Sequence, residues 1–80
     1  MVNNLIANID KLHTTDLGIV RIKRNLELEA DDVIAWCKRQ ILAPACLAFR
    51  KGKNWYAELD GVQITVNAHS YTIITAHKIK

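Results

Sequence analysis

The chain has 80 residues, of which 50% are hydrophobic and 24% are charged, and its formal net charge is +3. This length allows one domain with a thin margin of stability, and the composition excludes a disordered or low-complexity chain. No apolar run reaches the roughly 18 residues of a membrane span, and the first residues lack the pattern of a secretion signal. We therefore expect a single cytoplasmic domain over residues 1–80 without a membrane partner, with a helical half at 1–43 and a sheet half at 45–80.

The position of the positive charge and the spacing of the two cysteines bear on the class of function. The formal positive excess lies within residues 50–80, which is compatible with a polyanionic partner such as RNA. Cys37 and Cys46 have no CxxC spacing and no secretion signal beside them to support a disulfide, so we interpret them as reduced core thiols, with a nucleophilic role as the alternative.

The first segment of the chain has apolar residues at helical spacing, which predicts a helix that ends near His13. These residues are Leu5, Ile6, Ile9 and Leu12. Thr14 and Thr15 then offer N-cap oxygens for a second helix, with Asp16 in the first turn, where the helix dipole favours negative charge.

The second helix carries two arginines three residues apart, Arg21 and Arg24, which should project from one side. Two guanidinium groups on one side suit bidentate phosphate contacts, and the alternative is a solvated helix face. Asn25 is predicted to end this helix in a left-handed conformation, with Leu28 as a hydrophobic contact at the junction. The predicted buried residues are Ile19, Ile22 and Leu26.

A third helix is predicted over about residues 30–42. Asp31 and Asp32 would lie in its first turn, and Pro44 would end it, because proline disfavours helical geometry in the residue before it. Its predicted inward face consists of Val33, Trp36 or Cys37, Gln40 and Ile41, with Lys38 and Arg39 pointing away.

Four antiparallel strands with three short turns are predicted after Pro44. Asp60–Gly61 is typical of a two-residue type I′ turn, which pairs Leu59 with Val62, Ala57 with Ile64 and Trp55 with Val66. A second two-residue turn at Ala68–His69 would pair Val66 with Tyr71 and Ile64 with Ile73. The face of residues 46–49 stays unassigned, because the first turn is uncertain by one residue.

Cross-strand partners share a face of the sheet, so these turns predict two sets of residues. The set facing the helices is Trp55, Ala57, Leu59, Val62, Ile64, Val66, Tyr71 and Ile73. The set facing away is Tyr56, Glu58, Gln63, Thr65, Thr72 and Ile74.

The meander also predicts that the turns RKGKN and NAHSY lie at the same end of the sheet, since successive hairpins alternate ends. The residues gathered there would be Arg50, Lys51, Lys53, Asn54, Asn67, His69 and Ser70. A histidine beside such cations could carry a proton near a phosphate, and the alternative is a solvated hairpin tip that protects an edge.

The last histidine, His77, follows Thr75 and would lie on the core side, either as a satisfied, partly buried residue or as a partner of His13. The three histidines, with His69, have no spacing that is typical of a metal site. We therefore expect no metal and no cofactor.

Four segments carry a resemblance that covers nearly the whole chain: LHTTDLGIVRIKRNL, DDVIAWCK, RKGKNWY and ITVNAHSYTIITAHK. On these segments the chain resembles a family of small bacterial proteins that is classified only as a domain of unknown function. The resemblance implies no particular activity.

The order of helices followed by an antiparallel meander, with an H…R…R pattern and the final strand TIITAHK, is more distantly similar to the barnase, colicin and RelE-like ribonucleases. That similarity implies RNA binding on an open sheet face and metal-independent cleavage through the 2′-hydroxyl. The residues that it carries over are His13, Arg21, Arg24, Lys51, Lys53, Tyr56, Thr75 and His77.

The fold class predicted is α+β, with two or three N-terminal helices on one face of a four-stranded antiparallel meander. The leading hypothesis for function is a module that binds or cleaves RNA. Its candidate catalytic residues are Lys53, His69, His13 and His77. Its candidate RNA-binding residues are Arg21, Arg24, Arg50, Lys51, Lys53 and Tyr56. The alternative is a noncatalytic interaction or inhibitor module, including a homodimer, that uses Ile74 and Tyr56 on the sheet face or the edge of the fourth strand.

Overall fold

A computed structural model describes residues 4–79 as helices followed by a four-stranded antiparallel sheet in the order β1-β2-β3-β4, which confirms the predicted α+β class. The helical elements are α1 (Asn4–Ala7), a 3-10 turn (Ile9–Lys11), α2 (Asp16–Leu26) and α3 (Val33–Leu42). The strands are β1 (Leu47–Lys51), β2 (Asn54–Leu59), β3 (Val62–Asn67) and β4 (Ile73–Lys78). None of the helices within residues 4–79 has the length and apolar character needed to cross a membrane.

The first predicted helix is two shorter pieces. Asn8 leaves helical geometry with φ −114 and ψ 24, and its side-chain amide donates to the Asn4 carbonyl at 2.9 Å. Asparagine side chains compete with the helix for backbone partners in this way, which explains the break. Leu12 is extended, so the prediction of one helix running to His13 was wrong.

α2 begins as predicted and ends two residues later than predicted. The Thr15 hydroxyl caps it by accepting from the Gly18 N–H at 3.0 Å. The left-handed residue is Glu27, with φ 52, and not Asn25, which lies inside the helix. The Leu28 N–H donates to the Lys23 carbonyl at 2.9 Å, so the end is a Schellman motif.

α3 begins at Val33, a turn later than predicted, because the Asp32 carboxylate caps it by accepting from the Ala35 N–H at 3.0 Å. It ends at Leu42, and the extended Ala43 before Pro44 confirms the proline stop. The residues of α3 that are fully buried are Val33, Cys37 and Ile41.

The first two hairpins have two-residue turns. Gly52 has φ 63 and is followed by Lys53, which fits a type II′ turn, and Asp60 and Gly61 have φ 51 and 77, which fits type I′. The β2–β3 register is as predicted, with Leu59 opposite Val62 and Trp55 opposite Val66. The first hairpin, whose register the sequence did not determine, pairs Lys51 with Asn54.

The third hairpin differs from its prediction. Its turn is longer than Ala68–His69, because the Asn67 carboxamide oxygen accepts from the His69 and Ser70 N–H groups and Tyr71 takes the left-handed φ of 58. Val66 therefore pairs with Ile73, not with Tyr71.

A β-bulge follows in β4, where one extra residue, Ile74, lies between the pair Val66–Ile73 and the pair Thr65–Thr75. The longer turn shifts β4 by two residues and the bulge by one more, so Ile64 pairs with Ala76, and not with Ile73 as predicted. His77 pairs with Gln63 and is exposed, and its predicted place on the core side was wrong.

The core lies between the helices and one face of the sheet. Its buried helical and linker residues are Leu5, Leu12, Ile22, Leu26, Val33, Cys37 and Ile41. Its buried strand residues are Trp55, Ala57, Ile64, Val66, Ile73 and Ala76. The predicted core residues Ile19, Leu59, Val62 and Tyr71 are only partly buried.

The two outer edges of the sheet differ. On β4, the Ile73 N–H donates to the His13 carbonyl at 2.7 Å, the Thr14 hydroxyl donates to the Ile73 carbonyl at 2.9 Å, and Asn25 donates to the Ala76 carbonyl at 3.3 Å. The backbone of β4 at Ile73 and Ala76 is therefore bonded to residues 13, 14 and 25 of the same chain. β1 pairs with β2 on one side, and no strand within residues 4–79 pairs with its other side.

Candidate nucleic-acid interface

The face of the sheet opposite the core carries three rows of cross-strand neighbours, because paired residues share a face. The first row is Leu47, Glu58, Gln63 and His77. The second row is Phe49, Tyr56, Thr65 and Thr75. The third row is Lys51, Asn54 and Asn67. We call this surface the open face. The prediction that Tyr56, Glu58, Gln63 and Thr65 face away from the core is confirmed.

An aromatic pair occupies the β1 side of the open face. The rings of Phe49 and Tyr56 stack with centroids 5.6 Å apart and an interplanar angle of 23°. Together with Lys51 and Gln63 they line a groove of about 450 Å³. Phe49 is 43% exposed, although aromatic side chains are usually buried. Phe49 was not among the candidates, since its face depended on the uncertain first turn.

Polar groups lie beside this pair. The Gln63 side-chain amide donates to the Glu58 carboxylate at 2.8 Å, which orients both side chains across β2 and β3. Thr65, at the centre of the face, is only 6% exposed between Tyr56 and Thr75. Within the second row, Phe49 is therefore the most exposed side chain.

The two hairpin tips meet at one end of the sheet, as predicted. The Ala68 N–H donates to the Lys53 carbonyl at 2.8 Å, and Asn54 pairs with Asn67. Lys51, Lys53 and His69 are exposed there. Arg50 is also exposed, and its Nε donates to the Gly52 carbonyl at 3.1 Å.

A chain of hydrogen bonds links this end to the helical half. The Ser70 and Thr72 hydroxyls are 2.7 Å apart, and Thr72 Oγ1 lies 3.1 Å from His13 Nε2. His13 Nδ1 is 2.7 Å from the Lys11 carbonyl, which can only accept, so Nδ1 is the donor of that hydrogen bond. Thr72 lies opposite Asn67, whose N–H donates to the Thr72 carbonyl at 2.8 Å, so Thr72 extends the third row of the open face, as predicted. Its hydroxyl also contacts His13.

Lys11 joins the cations at this end, where its Nζ lies 5.9 Å from the centre of the Tyr71 ring. Sequence reasoning missed it, because only the long-range bridge between His13 and Thr72 brings residues 11–13 to this end of the sheet.

Three of the four candidate catalytic residues lie near the same end of the sheet, and the fourth does not. Lys53 and His69 lie at the hairpin tips, and His13 is held by Thr72 near the same end. His77 lies roughly 15 Å away along β4, at about 3.3 Å per residue, near the Asp60–Gly61 turn. His13 and His77 are therefore not partners.

The two arginines flank the other edge of the sheet. Asn25, one helical turn beyond Arg21, reaches Thr75 Oγ1 at 3.4 Å, so this side of α2 runs beside β4. Arg21 and Arg24 are exposed, and within residues 4–79 neither forms an ion pair. They lie across the sheet from Lys51.

The cysteines are free thiols. Burial raises the pKa of the Cys37 thiol from 9.0 to about 12. Burial also raises the pKa of Cys46, as does the charge of Glu58, while a hydrogen bond with the Glu58 backbone acts in the opposite direction. Neither thiol is a thiolate at neutral pH, which agrees with their interpretation as core thiols. Residues 4–79 contain no group of three His, Cys, Asp or Glu side chains that could hold a metal ion.

Fold and site together define a small α+β protein whose sheet has helices on one face and a partly aromatic open face on the other. The chain belongs to the DUF3781 family of proteins of unknown function, which matches residues 6–77. No curated protein and no solved structure matches it. The resemblance to a family of unknown function is thereby confirmed, whereas the similarity to the barnase, colicin and RelE-like ribonucleases has no support.

Proposed function

We propose that this protein binds single-stranded RNA on the open face of its sheet. The observation that carries the proposal is the stacked, solvent-accessible pair of Phe49 and Tyr56 beside Lys51. Aromatic side chains on an exposed sheet stack on unpaired bases, and each stacked base is worth about 1–3 kcal/mol. A groove of this composition accepts the flat face of a base and a neighbouring phosphate.

The cations around the open face supply the phosphate contacts. Lys51, Lys53 and Lys11 lie at the end where the hairpin tips meet, and Arg21 and Arg24 lie beyond β4. An RNA strand that crosses from β1 to β4 would therefore meet positive charge at the start and at the end of its path. The four strands span roughly 15 Å at about 4.8 Å per spacing, which is enough for two or three nucleotides.

The same geometry favours binding over cleavage. A general acid and base must both reach one phosphate, and His13 and His77 cannot do so together, because they lie near separate ends of β4. We therefore expect purified protein, incubated with labelled RNA in EDTA, to leave the RNA intact. Cleavage that is lost in His69→Ala or Lys53→Ala would establish the enzymatic alternative instead.

Fluorescence anisotropy with a labelled single-stranded RNA of mixed sequence tests the binding. Tyr56→Leu should weaken binding at least about fivefold, whereas Tyr56→Phe, which keeps the ring, should bind like the wild type. Both variants should match the wild type in circular dichroism and thermal midpoint. Equal affinity of Tyr56→Leu and the wild type would overturn the proposal.

The salt dependence of the same affinity tests the phosphate contacts. Lys51→Gln should reduce the slope of log K against log salt by about 0.7, the value for one contact with a single strand. Arg39→Gln is the matched control, because Arg39 is exposed on α3, in the helical layer behind the core. A slope that changes equally in both variants would show that the charge effect is not local to the open face.

A further inference from the structure

The free edge of β1 is the second surface of this fold that lacks a partner. Its Leu47 is 69% exposed and its Phe49 43% exposed, and no strand within residues 4–79 lies beyond it. Natural sheets usually cover or bend such edges, as this chain does at β4 with residues 13–14 and Asn25. The β1 edge therefore differs from the β4 edge, because no strand within residues 4–79 pairs with its free side.

The turn that joins β1 to β2 decides which backbone groups of β1 are free. In a two-residue hairpin the pair next to the turn, here Lys51 and Asn54, exchanges hydrogen bonds, and the pairs then alternate. Lys51, Phe49 and Leu47 therefore direct their N–H and C=O groups to β2. Ala48 and Arg50 direct theirs outward, where a further strand can meet them.

We propose that two copies of this chain associate through β1, antiparallel, with Phe49 of one copy opposite Phe49 of the other. Ala48 of each copy then faces Arg50 of the second copy, and each of these pairs exchanges two N–H···O bonds. Leu47 faces Lys51. All five residues of the strand are paired, and the edge that was free becomes the centre of an eight-stranded sheet.

The charges of β1 favour this register over one with the two-fold axis at Arg50. The strand carries Arg50 and Lys51 and no acidic residue. A two-fold axis at Arg50 would put that residue opposite its own copy, and like charges directly opposite are destabilising. The axis at Phe49 places each cation opposite an uncharged residue.

Lys51 also gains an acidic neighbour in this register. It lies opposite Leu47 of the second copy, and Leu47 is in the same row as Glu58 on the open face. The Lys51 stem can cover Leu47 while its ammonium group approaches that Glu58, about 10 Å away across two strand spacings. The association is independent of RNA, so either proposal can fail alone.

Sedimentation equilibrium without RNA, over a series of protein concentrations, tests the pairing with two variants of one residue. Arg50→Pro removes an outward N–H that β2 does not use, and proline is tolerated at such edge positions. Arg50→Ala is the control, because it removes the charge and keeps the N–H. We expect a dimer for the wild type and for Arg50→Ala, and at least about tenfold weaker association for Arg50→Pro, which is about 1.4 kcal/mol.

A second variant covers the case in which Arg50→Pro does not fold. Phe49 lies on the proposed axis, so Phe49→Cys should form a disulfide between two copies under mild oxidation, whereas Arg39→Cys should not. A wild type that stays monomeric at all concentrations, or equal association of Arg50→Pro and Arg50→Ala when both fold, would overturn the proposal.

Discussion

The ionisation of the Cys37 thiol is coupled to folding. Burial raises its pKa from 9.0 to about 12, so the folded state holds the proton more tightly than the unfolded state does. The stabilisation is therefore complete below pH 9 and is lost as the pH rises towards 12, by about 1.4 kcal/mol per unit. We expect the free energy of unfolding, measured by urea titration between pH 8 and 11, to fall more steeply in the wild type than in Cys37→Ala. Parallel pH profiles would contradict this.

Gly18 is required by a close approach and not by its backbone angles. A Cβ at this position would overlap Thr14 Oγ1, the hydroxyl that donates to the Ile73 carbonyl on the edge of β4. Glycine to alanine inside a helix normally stabilises by about 1 kcal/mol, and here we expect Gly18→Ala to destabilise by about 1–3 kcal/mol. In a Thr14→Ala background the same change should be neutral or stabilising. Urea denaturation of the four proteins in this cycle measures the difference.

Among the elements, the hairpins show what the sequence can predict. Asp60–Gly61 has two residues that favour positive φ between alternating strands, so both the turn and its register follow from local chemistry. The third hairpin depends on the Asn67 side chain, on a left-handed Tyr71 and on the bridge from His13 to Thr72. That bridge joins residues 59 positions apart, which no local pattern reports.

The bulge at Ile74 lets two residues that are three positions apart, Ile73 and Ala76, both face the core. Without Ile74, Thr75 would follow Ile73 directly, so the alternation of faces would become regular and Ala76 would stay in the core. We expect deletion of Ile74 to destabilise the protein by under about 1 kcal/mol, because the pairs on both sides of the bulge keep their partners. Ile74→Ala, which keeps the bulge at a position 43% exposed, should also cost under about 1 kcal/mol. Thermal unfolding of both variants measures these costs, and a loss above about 3 kcal/mol in the deletion alone would show that the register depends on the bulge.

At the scale of the whole molecule, the fold class, the tip cluster and Tyr56 followed from the sequence, while the aromatic pair did not. The Asp60–Gly61 turn fixes the face of the sheet on which Tyr56 lies. Phe49 lies on β1, where a shift of one residue in the register would reverse the face. Lys11 reached the site through tertiary contacts alone. The register of β2 and β3 was predictable because the Asp60–Gly61 turn fixes it, whereas the register of β4 depends on a longer turn and a bulge. The helix ends were less predictable because capping residues compete.

The two-layer arrangement predicts where an RNA ligand would act. Amide signals of Phe49, Tyr56 and Gln63 should move on addition of single-stranded RNA, since they lie on the open face. Signals of α3, behind the core, should stay in place. A heteronuclear NMR titration measures both sets at once. Shifts that are concentrated on α3 would assign the interface to the helical layer.

The bridge between His13 and Thr72 has a consequence for assembly. A sheet with two free edges can add copies at both edges without limit and form a filament. Here the β4 edge is covered by residues of the same chain. Association of two copies through β1 would occupy the β1 edge of both copies at once. Growth of the proposed dimer would therefore stop at two copies, and we expect filaments first in variants that uncover the β4 edge, such as Thr14→Ala.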